Sequence, residues 1–352
     1  MKRFGIIGCG SIANVHADAI NEIGNAELLA VYGRDKDKVN AFANKYQIEA
    51  YTDLNKMLQR DDIDAVTITT PSGYHLEPTI AAADHGKHII VEKPLEINEE
   101  RVNQMITVCK KQNVILSGIY NRRYNPAVRA LKAAVDGGRF GRIAMCDAQI
   151  KWYRDQAYYD SGAWRGTKSL DGGGALMNQG IHTIDLLLYF MSDVKRLSAS
   201  TACLTHKNME VEDSAVVILE FVNGARGVIQ ASTSCWSSAG HPAEIHICGD
   251  KGSVFLADES FRVWDFKDSV PQDVDVRSLM VKGDQKGLGA NDPAAINHLG
   301  HIKNFENFIG AIDGTNELEI TGPECLKAIK LLDAIYNSAD NNGDWVELAP
   351  TD

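Results

Sequence analysis

RFGIIGCGSIANVHADAI, residues 3–20, decides the fold of the first part of this chain. An apolar run ends in Gly8-Cys9-Gly10-Ser11-Ile12-Ala13, and an amphipathic stretch follows without a break. A strand that closes on glycines and opens directly into a helix is the βα turn of a parallel sheet. Gly8 permits the tight turn, Gly10 lets backbone amides approach a pyrophosphate, and Ala13, in the third small position, allows close packing of helix on strand. The helix start at Ser11 and Ile12 then turns its unpaired amides toward the anion.

The same rhythm continues to about residue 120. Short apolar runs (AELLAVY, DAVTITT, KHIIVE, NVILSG) alternate with helix-length stretches such as DKDKVNAFANKY and LEPTIAAADHG. Strands this uniformly apolar expect cover on both faces. Ligands of such sheets bind beyond the carboxyl ends of the strands, where the chain places Gly33 and Arg34, then Thr70, Pro71 and His75, then Glu92 and Lys93. At the end of the second strand Gly33 stands where an acidic residue would hold a ribose 2′-hydroxyl. Arg34 can accept a 2′-phosphate or stack on adenine, and Asp35 can reach the ribose, so the expected cofactor is NAD or NADP.

From about residue 140 strand-like runs follow one another without helices between them: RIAMCDAQIKWY, RLSASTACLT, SAVVILEF, ARGVIQASTSCW, AEIHICG, SVFLAD and FRVWDF. Turn signals at Asn223-Gly224 and Gly249-Asp250-Lys251-Gly252 separate them, which predicts a mostly antiparallel sheet. A loop and helix between Gln156 and Met191 interrupt this half, and the helical patterns HIKNFENFIGAIDG and ECLKAIKLLDAIYNSA close it. The domain boundaries read 1–121 and 122–352. In the interrupting segment, Gly172-Gly173-Gly174 suits a loop pressed against a ligand or another backbone. The helix after it places Met177, Ile181, Ile184 and Leu188 inward and Asn178, His182 and Asp185 on an adjacent polar stripe.

The chain has 352 residues, 44% of them hydrophobic, enough for two cores. No apolar run approaches the ~18 residues of a membrane-spanning helix, no signal-type cleavage region follows the N-terminus, and the cytoplasm is the expected compartment. The seven cysteines are scattered without Cys-x-x-Cys spacing, so neither a disulfide framework nor a zinc knuckle is expected. His85 and His88 have metal-like spacing but no acidic or thiol neighbour, and no metal is expected.

A net charge of −11 argues against nucleic-acid and anionic-membrane partners. Between Tyr120 and Lys168, however, ten basic residues face four acidic ones. That island either attracts an anionic small molecule or is a charge run balanced elsewhere in space.

Taken together, Gly8-x-Gly10-x-x-Ala13, Thr70-Pro71-x-x-x-His75, Glu92-Lys93-Pro94, Arg123-Tyr124-Asn125-Pro126, the run Gly172 to Asp185 and the late FENFIGAI resemble the glucose-fructose oxidoreductase, inositol dehydrogenase and rhizopine-catabolism family. The resemblance implies a Rossmann domain followed by an open, predominantly antiparallel sheet domain, with substrate between that sheet and the nicotinamide. It implies Lys93 beside the reacting carbon and allows a cis Lys93-Pro94 bond. Family members commonly pair an aspartate with a histidine four residues later, and the aligned pair here is Asn178 and His182. Asn178 cannot take up a proton, so His182, with a reference pKa near ~6.5, is the best candidate base, while Lys93 stabilises the alkoxide or itself takes or relays the proton, the division between the two staying open.

Asn178 together with KWYRDQAYYDSGAWRGT is similar to dehydrogenases of sugars and nucleotide sugars. The candidate substrate contacts are Arg123, Tyr124, Tyr153, Trp164, Arg165, Asn178 and His182, with Lys151 and Arg154 as further cations. The expected activity is hydride transfer between nicotinamide and a secondary hydroxyl of a carbohydrate, with anionic substrates favoured by the island. An NAD-dependent glycosidase and a non-catalytic dinucleotide-binding regulator are the alternatives. An exposed apolar sheet face predicts a homodimer or homotetramer.

Overall fold

The computed structural model describes residues 1–191, 193–281 and 298–349. Two compact units account for the chain: residues 1–121 with 296–329, and residues 122–295 with 330–352.

In the first unit, β1 (Lys2–Ile7), β2 (Ala26–Tyr32), β3 (Glu49–Tyr51), β4 (Ala65–Ile68), β5 (His88–Val91) and β6 (Leu116–Gly118) form one sheet in the order β3-β2-β1-β4-β5-β6. Every pairing is parallel. β3 went unread in the sequence because Glu-Ala-Tyr is short and largely exposed, so it carries no apolar run. The order reverses between β1 and β4, which puts the first βα turn at the switch point where such sheets take their ligands.

The connecting helices carry their own start and stop signals. α1 (Ser11–Glu22) follows Gly10, and α2 (Lys36–Tyr46) is capped by the Asp35 carboxylate, which accepts from the amides of Asp37 and Lys38. α3 (Leu54–Leu58) and α4 (Leu76–Asp84) follow. α5 (Glu99–Lys111) has Asn98 as its cap, Glu99 and Glu100 in the first turn and Lys110 and Lys111 in the last, matching the helix dipole at both ends.

Residues 298–329 join this unit rather than the strand-rich half that the sequence reading assigned to 122–352. The reason lies in the helix Leu299–Ile312, whose Phe305, Phe308 and Ile309 fall on one face and pack with Phe4, Ile6, Ala17 and Ile20. Phe4 and Phe305 meet edge to face at 5.7 Å. Truncating Phe305 to alanine removes a buried aromatic from this core and costs about 3–5 kcal/mol.

The second unit is built on a sheet of eight strands. They are β7 (Ile143–Lys151), β8 (Val194–Ala202), β9 (Ser214–Phe221), β10 (Arg226–Ser232), β11 (Glu244–Gly249), β12 (Gly252–Ala257), β13 (Ser260–Phe266) and β14 (Val346–Glu347), ordered β13-β12-β11-β7-β10-β9-β8-β14. All pairs are antiparallel except β7 with β10. Along β9, Ala215, Val217 and Leu219 are buried while Val216 and Ile218 are 53% and 49% exposed, so one sheet face is inward and the other outward.

The interrupting segment forms a π-helix over Ala175–Gly180 that runs into the α-helix Ile181–Met191. Met177, Ile181 and Ile184 are buried, whereas Leu188 is only half-buried. A stretch of π-helix adds about one residue per turn and so re-aims the side chains that follow it, a device common at functional sites.

Candidate active site

Within the first unit the glycine-rich turn is held by Thr69, whose hydroxyl donates to the carbonyls of Ile7 and Gly8. Gly8 has φ +108° and a Cβ there would lie 2.8 Å from the Thr69 hydroxyl, so no other residue fits. Gly10 has open space above it. No side chain caps α1, and its first turn holds no acidic residue, so its leading amides are left for another acceptor. Ser11 is exposed and Ile12 half-buried at this end, while Ala13 is fully buried against the sheet. These residues fit a dinucleotide diphosphate: an uncapped helix start, a backbone bared by glycine and room for an anion.

At the end of β2, a Cβ on Gly33 would lie 2.9 Å from the Cys9 sulfur, which explains why the usual acidic side chain is missing. Asp35 is committed to capping α2. The Arg34 guanidinium lies 5.1 Å over the Tyr74 ring. Thr70 donates to the Tyr74 carbonyl at 3.0 Å and, with Pro71, shapes the loop after β4.

Two residues expected at the cofactor face inward instead. His75 is buried, with Nδ1 3.0 Å from the Pro94 carbonyl and 3.2 Å from that of Leu95, and Nε2 2.9 Å from the Thr70 carbonyl. It ties the loop after β4 to the loop after β5. Glu92, also buried, turns toward His16 of α1 and His301. Burial alone would raise this carboxyl, yet hydrogen bonds from the two imidazoles hold it well below the usual carboxylate range. Burial in turn pushes His16 below the usual imidazole range against the pull of Glu92. Lys93 follows, half-buried, its backbone amide donating to Glu92 Oε2 at 2.9 Å, and the Lys93-Pro94 bond is cis.

His16 and His301 escaped the sequence reading. Their signal was present: each is a polar residue on the apolar stripe of its helix, His16 beside Ala13, Ala17 and Ile20, and His301 beside Phe305 and Phe308. His85 and His88 do not form a pair, since His85 bonds the Ala81 carbonyl and His88 accepts from the Ile115 amide.

In the second unit the triple glycine is explained by close backbone approach. A Cβ on Gly173 would lie 2.0 Å from the Tyr336 hydroxyl, and one on Gly174 1.8 Å from the Glu212 carbonyl oxygen. The Glu212 carboxylate accepts from the amides of Gly174 and Leu176 and from Tyr336, anchoring the start of the π-helix. Burial nevertheless keeps its pKa above the usual carboxylate range.

Asn178 and His182, both half-buried, follow on this anchored segment. The Asn178 amide donates to Asp171 and accepts from Gln179 Nε2 at 3.2 Å. Gln179 in turn accepts from Arg154 at 2.8 Å and donates to the Tyr158 hydroxyl at 2.9 Å. The Arg154 guanidinium lies over Trp152 and Tyr158, and Arg165 lies 4.1 Å over Tyr158 and 4.7 Å over Trp164. Tyr153 is half-buried and bridges to Ser234.

The basic island divides. Arg122 pairs with Asp258, Lys132 with Asp136 and Arg139 with Asp273, so those charges are balanced locally. Arg123, expected as an anion contact, is buried and makes a two-pronged pair with Asp185 at 2.9 and 2.6 Å. Its charge serves the packing of the helix that carries His182. Tyr124 sits under the Arg129 guanidinium at 5.0 Å. Arg154 and Arg165 remain among aromatic rings and amides.

Comparison with known proteins agrees with these two units. Residues 2–120 match the model of an oxidoreductase family with an NAD-binding Rossmann fold, and residues 128–255 match the GFO/IDH/MocA C-terminal domain. The chain is 32% identical to the myo-inositol 2-dehydrogenase of Thermotoga maritima over 72% of its own length and 74% of that protein. It is 28% identical to the inositol 2-dehydrogenase of Rhizobium meliloti over 96% of both chains. Among solved structures, the WlbA dehydrogenase of Bordetella pertussis, in complex with NADH and UDP-GlcNAcA, superposes with a TM-score of 0.88 at 31% identity and covers 99% of both chains. The uncapped glycine turn, the sheet order and these matches lead to one conclusion: the chain belongs to the Gfo/Idh/MocA family of NAD(P)-dependent oxidoreductases.

Proposed function

We propose that this dehydrogenase of CH–OH groups acts on a secondary hydroxyl of a sugar, sugar acid or nucleotide sugar, with Lys93 and His182 handling the hydroxyl proton. The observation that carries the reading is the delivery of Lys93 at the carboxyl end of β5, in a parallel sheet whose first βα turn is bare for a diphosphate. Bound NAD or NADP supplies the hydride acceptor or donor.

The chain's own residues do the rest. The α1 start and Gly10 hold the diphosphate through backbone amides. The Lys93 ammonium neutralises the oxygen that becomes negative as the carbon–hydrogen bond breaks. His182 receives the proton from the hydroxyl, and Asn178, its amide fixed by Asp171 and Gln179, orients the hydroxyl without taking a proton.

An anionic substrate is favoured by Arg154 and Arg165, which combine fixed positive charge with the aromatic faces of Trp152, Tyr158 and Trp164. The 31%-identical WlbA dehydrogenase, solved with UDP-GlcNAcA, supports the same substrate class. The outward Val216 and Ile218 of β9 support a homodimer or homotetramer joined through that sheet face.

The test is a turnover panel of polyols, aldoses, sugar acids and UDP-sugars with NAD and with NADP, read by nicotinamide absorbance. Turnover of an anionic sugar is expected, with loss on Arg165→Ala. Preference for neutral polyols, unaltered by Arg154→Ala or Arg165→Ala, would remove the anionic reading.

A further inference from the structure

Ile90 and Glu92 lie two residues apart at the end of β5 and so point to the same side of the sheet. Ile90 belongs to the core under α1 and the helix Leu299–Ile312. Glu92 therefore brings a carboxylate to a core position, 6% exposed, against His16 and His301, which are 0% and 2% exposed. An apolar residue there would pack at least as well, because burying an ion costs more than a single pair returns. The anion calls for another explanation.

The hydrogen bonds set its protonation. Asn121 Nδ2 donates to His301 Nδ1 at 3.2 Å, so the His301 proton sits on Nε2, which points at Glu92 Oε1 at 3.5 Å. His16 Nε2 lies 2.9 Å from the same oxygen, and its Nδ1 lies 2.7 Å from the Thr67 hydroxyl. Both imidazoles turn Nε2 toward the Glu92 carboxylate. The remaining oxygen, Oε2, accepts from the Lys93 amide at 2.9 Å. The three side chains offer donor atoms within 4.8 Å of one another, a set that would suit a metal. Each ring nitrogen already has a hydrogen-bond partner, so the hydrogen-bonded reading accounts for the whole cluster.

We infer that His16, Glu92 and His301 are positioning residues: a buried carboxylate clamped by two imidazoles fixes the backbone of Lys93. The clamp joins three elements, the helix that begins at the glycine turn, the end of β5 and the helix Leu299–Ile312. It thereby holds the Lys93 backbone in register with the diphosphate-binding turn. Its meaning for catalysis rests on the reading of Lys93 as a proton-handling group. Its existence does not, and the experiment separates the two.

The measurement uses the full-length protein with and without NADH and needs no substrate. Glu92→Gln keeps the size of the side chain and removes the charge. His301→Leu removes one donor, and His301→Gln restores a donor to Glu92 in its place. Amide hydrogen exchange is followed in peptides covering residues 88–97, 11–22 and 299–312, and lysine reactivity is read by competitive labelling with acetic anhydride. In Glu92→Gln the Lys93 amide is expected to exchange about 10-fold faster while both helices stay within about 3-fold of the parent. Lys93 alone among the lysines is expected to label about 3-fold faster, because a backbone released from Glu92 loosens the side chain it carries. His301→Leu is expected to do the same more weakly, and His301→Gln to return both values toward the parent.

Unchanged exchange and labelling at Lys93, or release of all three peptides together, would overturn the inference, since the cluster would then be plain core. Retention of a stoichiometric transition metal by the purified parent would overturn it too. Should Glu92→Gln fail to fold, the two His301 variants decide. Normal turnover by Lys93→Ala, with the clamp signals as expected, would sink the catalytic reading alone.

Discussion

Glu92 in the first unit and Glu212 in the second are buried to the same degree, each 6% exposed, yet their carboxyl groups are pushed in opposite directions. Burial raises both. Glu92 is answered by two imidazoles and falls well below the usual range. Glu212 is answered by the amides of Gly174 and Leu176 and by the Tyr336 hydroxyl, and stays above it. The Tyr336 phenol is itself driven well up, by burial first and by Glu212 beside it. The partners make the difference: hydrogen bonds from two imidazoles outweigh burial at Glu92, whereas amide and phenol donors do not outweigh it at Glu212. Burial alone therefore does not fix the state of an acid. Both acids nevertheless hold a backbone next to a proposed reacting group, Glu92 at Lys93 and Glu212 at the segment leading to Asn178 and His182.

The comparison loses its purpose if those groups do no chemistry. Lys93→Ala and His182→Ala are each expected to lower single-turnover hydride transfer by about 10²–10⁴-fold, with NADH affinity held within a few-fold. Normal rates in both variants would leave the two acids as structural curiosities.

Next in size is the pair that stiffens the second unit without touching either acid. Asp185→Ala strands the buried Arg123 guanidinium and is expected to cost about 3–5 kcal/mol in urea unfolding. A loss below about 1 kcal/mol, the range of an exposed pair, would mean that Arg123 finds water or another acceptor.

The opposite shifts predict opposite pH behaviour. Because the folded Glu92 carboxyl is depressed, its contribution is present above the unfolded value near ~4.3 and is lost as pH falls through the folded one. The Glu92→Gln deficit in stability should therefore be greatest at neutral pH and close in acid. The folded Glu212 carboxyl is raised, so its contribution is complete below the unfolded value and is lost as pH rises through the folded one. Relative to the parent, Glu212→Gln should thus gain with rising pH. A spread of roughly 1–3 kcal/mol between the two variants is expected at pH 7, closing toward pH 4. Parallel curves would refute the contrast.

The smallest effect concerns cofactor choice. Arg34→Ala is expected to weaken NADPH binding by about 1 kcal/mol, ~5-fold, by fluorescence titration, and NADH binding by less. Equal changes for both dinucleotides would reduce Arg34 to an adenine contact.

Much of the fold was legible from pattern. Five of the six strands of the first sheet announced themselves as apolar runs, and the second half showed its strands by succession and turn residues. β3 and β14 were silent because two or three exposed residues carry no period. Gly8, Gly10, Ala13 and Lys93 could be placed by motif, since the demands on them are local: a positive φ, a bare amide, a strand end. Arg123 could not be separated from Arg165 by charge alone, because their difference is a partner, Asp185, 62 positions away. The π-helix at Ala175–Gly180 was hidden for the same reason, being shaped by Glu212 and Tyr336 from distant segments.

By itself, then, the sequence determined the parallel and antiparallel halves, the glycine turn and the strand end that bears Lys93, all consequences of residue chemistry within a few positions. Only the tertiary structure decided that residues 298–329 return to the first unit, that His75 and Glu92 face inward, and that Arg122, Arg123, Lys132 and Arg139 of the basic island pair with carboxylates. Those outcomes depend on which distant groups meet in a low-dielectric interior, where a partner several elements away sets whether a charge is exposed, paired or stripped of its proton.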